Sequence, residues 1–144
     1  MFAVLRRAWA RGWLLLSTLG MAACGQFPEP ATEQSLLSAW VAERYAAELL
    51  AAEIVKINSY SDQFEKPIYV EMRDNVPIYF PYAKGRKLVI FVVEMRQGKP
   101  VVKLDGFTEW AFTQTTDGMA WVIDEAIRRA RVHNQARDVE RRAG

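Results

Sequence analysis

The sequence predicts an α+β fold: a long N-terminal helix packed on a four- to five-stranded antiparallel sheet, with a short C-terminal helix. Three observations predict it. Glu33 to Ile57 is rich in Ala, Leu and Glu and contains neither Gly nor Pro. Residues 68–113 hold several short apolar or alternating segments separated by turn residues. The chain then ends in a charged stretch with helical spacing.

Thr32 is placed to cap the first helix, and Glu33 suits the positive end of its dipole. Leu36, Trp40, Ala47, Leu50, Ile54 and Ile57 form one apolar stripe over Glu33–Ile57, and Leu37, Val41 and Tyr45 an adjoining one. The heptad fails at Glu43, so a core helix under a sheet is favoured over a coiled coil. Ile68, Val70 and Met72 alternate with Tyr69, Glu71 and Arg73, the pattern of a half-buried strand. Asp74-Asn75 reads as a hairpin turn. Val76–Tyr82 contains Pro77 and Pro81, which cannot donate to a ladder, so it reads as an edge strand.

Lys87–Arg96 is apolar on both faces and reads as a central, doubly covered strand. Gln97-Gly98-Lys99 turns the chain, and Pro100–Thr113 reads as a strand bent at Asp105-Gly106. The turn signal Thr115-Thr116-Asp117-Gly118 favours a short last strand, Met119–Ile123, before a helix over Asp124–Arg131. The competing reading is a helical stripe of Met119, Val122, Ile123, Ala126, Ile127 and Ala130. Residues 132–144 read as a charged, frayed tail.

Ahead of this domain lies a different kind of segment. Arg6, Arg7 and Arg11 precede the apolar run Trp13–Leu19, and Gly20-Met21-Ala22-Ala23-Cys24-Gly25 follows. The apolar stretch is short of the roughly 20 residues a spanning helix needs. Basic flank, short apolar run and small residues are the parts of an export signal. Together with Cys24, the only cysteine, the segment resembles the signal peptide and lipobox of bacterial lipoproteins. Met21 departs from the Leu usual three residues before the cleavage point. The resemblance implies removal of residues 1–23 and lipid (palmitate among its acyl chains) on Cys24. It further implies a place on the periplasmic face of the cell envelope. Residues 24–32, with two prolines and no periodicity, read as a tether, and residues 33–131 as a single domain. Gly25, in place of the Asp of inner-membrane retention, points to the outer membrane. Three acyl chains would make such attachment permanent, where one holds only reversibly.

Loss of the three arginines takes the formal charge from +2 to −1, so the basic precursor gives no ground for a nucleic-acid partner. No cysteine remains for a disulfide, and the domain must stand on its apolar core.

Candidate chemistry is sparse. His133 is the only histidine, Gly85 and Gly98 are isolated turn glycines, and no metal-ligand spacing or phosphate loop occurs. Neither a cofactor nor a catalytic residue is predicted. Glu71, Asp105 and Glu109 read as solvent-facing strand carboxylates, though a pair in one cleft would serve acid–base chemistry. Tyr79, Phe80 and Tyr82 form the candidate recognition surface, because aromatic side chains on an edge strand suit partner binding. Arg128, Arg129 and Arg131 extend it as a basic flank. The alternative for the aromatics is core, as for Trp110, Phe112 and Trp121.

A long helix followed by a meander looks like the cystatin-like or nuclear-transport-factor-like α+β rolls. The expected function is a non-catalytic lipoprotein that docks onto an envelope complex, such as a secretion or conjugation apparatus. Two alternatives are a roll with an internal ligand pocket lined by Tyr69, Trp110 or Phe112, and a periplasmic inhibitor of a lytic enzyme.

Overall fold

A computed structural model of the protein describes residues 32–59, 67–81, 90–104 and 112–144. Cys24 with the leader and tether, Tyr82, Asp105, Glu109 and Trp110 lie outside the described residues, as does the side chain of Phe112. Residues 32–144 form one compact unit.

The order is helix α1 (Glu33–Ala51), strands β1 (Ile54–Asn58), β2 (Ile68–Met72), β3 (Pro77–Phe80), β4 (Phe91–Arg96) and β5 (Lys99–Leu104), then helix α2 (Phe112–Ala143). The strands make one antiparallel sheet in the order β3-β2-β1-β4-β5. The predicted α+β class is the observed one. The central strand β1, however, comes from sequence expected to be helix.

Helix α1 starts as expected: the Thr32 hydroxyl accepts from Ser35 N–H at 3.1 Å. It ends six residues before Ile57. Ala52 N–H donates to Glu48 O at 2.9 Å and Glu53 N–H to Leu50 O at 3.0 Å. Glu53 sits at φ 60°, the left-handed conformation that usually ends a helix with Gly. With Ile54 and Ile57 gone to β1, the buried row of α1 is Leu37, Val41, Tyr45 and Leu49. Leu36 and Leu50, expected on the core stripe, are 48% and 38% exposed.

Strand β1 carries a bulge between Ile54 and Lys56. The extra residue lets Ile54 and Ile57, three apart, both face the core. On β4, Phe91 and Val93 are buried, whereas Val92 and Glu94 on the other face are half-buried. That strand is central, but among the described residues helices cover only one side of it. Gln97 and Gly98, both at positive φ, form the turn between β4 and β5; Lys99, expected to belong to the turn, already pairs with Arg96.

Helix α2 is continuous from Phe112 to Ala143. The predicted strand at Met119–Ile123 is helix, as are residues 112 and 113, where the strand from Pro100 was expected to end; its expected bend at Asp105-Gly106 lies outside the described residues. Met119, Val122, Ile123, Ala126, Ile127 and Ala130 are all buried. Burying each larger member contributes roughly 1.5–3 kcal/mol, well beyond what a local Asp-Gly turn preference supplies. Residues 132–143, expected to fray, continue the helix.

Candidate docking edge and outer sheet face

The sheet has an inner face packed on the helices and an outer face away from them. The pairings place Tyr79, Tyr69, Asn58, Val92 and Lys103 in one transverse row of the outer face. Pro77, Glu71, Lys56, Glu94 and Val101 form the next row.

The two ends of this face differ in chemistry. Toward β5, Glu94 accepts from Arg96 at 3.0 Å and from Lys103 at 3.4 Å, with Lys56 at 4.0 Å. The hydrogen bond from Arg96, then that from Lys103, holds the Glu94 carboxyl below its ordinary range. The charges at that end are satisfied among themselves. Toward β3 the face is aromatic: the Tyr69 and Tyr79 rings meet at 5.3 Å, tilted by 57°. Desolvation, then the Glu71 carboxylate, raises the Tyr69 phenol above 10.0, so it remains a neutral hydrogen-bonding group.

The two edges of the sheet are finished differently. On β5, the Val102 N–H donates to Ser38 Oγ at 3.0 Å, and the Val102 carbonyl accepts from Gln34 Nε2 at 3.0 Å. Side chains of α1 therefore close that edge. In an antiparallel sheet the direction of backbone hydrogen bonding alternates along and across strands. With Val102 pointing outward, the pairings Val102–Val93–Ile57–Val70–Ile78 turn Ile78 toward β2 and Tyr79 outward. The hydrogen bond from Ser59 N–H to Phe91 O, two residues along from Ile57, fits this phase.

At the β3 edge, then, Tyr79 presents its N–H and C=O, and Pro77 presents a carbonyl with no donor to leave unpaired. Among the described residues no strand covers this edge. The phase also explains how a strand flanked by Pro77 and Pro81 joins a sheet: Pro77 sits where no ladder N–H is required.

The structure divides the expected recognition surface. Tyr79 is 56% exposed. Phe80, the next residue, is 1% exposed and belongs to the core, because alternation turns it inward. Arg129 lies over its ring, with Cζ 4.8 Å from the centroid, and is therefore a packing cation more than a free basic flank. Arg129 and Arg128 both donate to Glu125, at 2.8 and 2.6 Å, and Arg131 reaches Glu48 only at 3.5 Å. The hydrogen bond from Arg128, followed by that from Arg129, lowers the Glu125 carboxyl to about 2.

Tyr69, expected to line an internal pocket, stands on the outer face, and Trp121 packs half-buried against the core. Glu71 lies on the outer face opposite Lys56. His133, on α2, lies 2.9 Å from Asp74 Oδ2, a pairing with no sequence signal because 59 residues separate the two. No group of His, Cys, Asp or Glu suited to hold a metal ion occurs among the described residues. No helix there is long and apolar enough to cross a membrane.

No protein-family model, no curated protein and no solved structure matches the chain.

Proposed function

We propose that the protein is a non-catalytic lipoprotein of the bacterial cell envelope. It is anchored on the periplasmic side through lipid on Cys24, is sorted to the outer membrane because Gly25 stands where an Asp would retain it in the inner one, and docks a protein partner at β3. The observation that carries the docking is that among the described residues no strand pairs with the outward backbone of Tyr79, beside the Tyr69–Tyr79 ring pair and on the edge opposite the one that α1 closes. An extended segment of the partner would add a strand there. Its main chain would bond Tyr79 N–H and C=O, and its side chains would rest on the two rings. Strand addition to so short an edge gives modest affinity, and anchorage on one membrane raises the effective concentration of the partners.

The address rests on the leader, the lone Cys24 and the absence of any other cysteine. A secretion or conjugation apparatus would be one example of such an envelope complex.

Two variants test the parts separately. Cys24→Ser is expected to move the protein out of the membrane fraction; a variant that stays membrane-bound with its leader removed overturns the anchor. Tyr79→Asp is expected to abolish co-purification with the envelope complex after mild detergent extraction, while the protein remains in the membrane. A lone monomer in every wild-type preparation overturns the docking.

A further inference from the structure

Helix α2 is held to the domain in two chemically distinct ways. From Met119 to Ala130 it buries six apolar side chains, and from Arg131 to the C-terminus it buries none. The second part is held by directed polar contacts. His133 Nε2 lies 2.9 Å from Asp74 Oδ2, and Arg137 Nη1 lies 3.5 Å from the same oxygen. Arg137 Nη2 donates to Glu53 Oε2 at 2.6 Å, and Asn134 Nδ2 donates to the Ala52 carbonyl at 2.8 Å.

The acceptors of these contacts lie in two turns; Arg131 reaches Glu48, on α1, at 3.5 Å. Ala52 and Glu53 form the α1–β1 turn, where Glu53 has its left-handed backbone. Asp74 belongs to the turn that leads into β3. The two turns are themselves joined by the hydrogen bond from Arg73 N–H to Glu53 O, at 2.9 Å.

Asp74 is the coupling residue. Its Oδ1 accepts from Val76 N–H at 3.1 Å, which shapes the turn, while its Oδ2 meets His133 and Arg137 on the helix. The same carboxylate therefore senses the path of the chain into β3 and the position of α2. The pairs are only partly exposed, with side-chain exposures of 20% for Arg137, 21% for Asp74, 24% for His133 and 31% for Glu53. Water screens them less than it screens ordinary surface ion pairs.

We infer that residues 131–143 are a separable polar latch that clamps the β2–β3 hairpin, so that the helix end and the edge strand are released together while the apolar core stays closed. The latch regulates the docking edge, and that consequence rests on the proposed role of β3. The clamp itself does not.

Amide hydrogen exchange on the purified full-length chain tests it without any partner, so failure of the latch and failure of the docking are distinguishable. Asp74→Asn keeps an acceptor for Val76 but weakens the helix contact; Arg137→Gln weakens the same contact from the other side. Each is expected to speed exchange about tenfold in both 131–143 and 73–80, with residues 119–130 changed by less than about twofold. Asn134→Ala, which removes only the Ala52 contact, must move the same two segments together by a smaller factor. The inference is overturned if each variant loosens only its own segment, if neither segment responds, or if 119–130 loosens in parallel.

Discussion

Gln97 shows how a single residue carries a local cost that the fold absorbs. It adopts φ 52° beside Gly98 at φ 78° in the β4–β5 turn. A branched-free polar chain tolerates this conformation less well than Asn, whose short amide suits both positions of such turns. Gln97→Asn is expected to raise stability by about 0.5 kcal/mol, checked by the denaturant midpoint at unchanged slope. Glu125 makes the matching electrostatic case. Its folded pKa of about 2 lies below the ordinary 4.5, so its contribution is present above the ordinary value and is lost as pH falls toward 2. Glu125→Gln is therefore expected to be less stable than the parent at neutral pH, with the difference vanishing near pH 2. Thermal melts of both proteins across that range measure it.

At the scale of elements, the sheet depends on how its edges are treated. Ser38 and Gln34 bring side-chain hydrogen bonds to Val102, so one edge is finished by a helix. Ser38→Ala leaves the Val102 N–H without its acceptor and is expected to cost about 1–2 kcal/mol. It also exposes a second edge, so static light scattering should rise with concentration. Chemical denaturation and scattering read the two effects independently.

Elements also differ in how far they could be read from the chain. Strands β2 and β3 were legible because Ile68–Met72 alternates and Pro77 and Pro81 mark an edge. The end of α1 was not. Nothing between Ala51 and Ile57 breaks a helix, and the stop at Glu53 is held by Arg73 and Arg137, 20 and 84 residues away. The strand expected at Met119–Ile123 failed for a related reason. Asp117-Gly118 is a local turn signal, whereas the choice of helix belongs to the whole buried row from Met119 to Ala130. Within the candidate site, Tyr79 was legible as an exposed edge aromatic. Phe80 was not separable from it until the pairing with Ile68 gave the strand its phase.

At the scale of the whole molecule, the proposal joins an address to a surface. In the proposed function the leader and Cys24 carry the address, and the β3 edge at Tyr79 carries the surface. The central claim is that these act together, with the edge meeting its partner only when the domain is anchored. A photo-crosslinking amino acid placed at position 79 in living cells tests this most directly, with position 43 on the exposed side of α1 as the comparison. The account predicts a discrete adduct from position 79 that is absent from position 43 and is lost when Cys24 is replaced by Ser. Equal adducts from both positions, or an adduct from position 79 that survives the loss of Cys24, would contradict it.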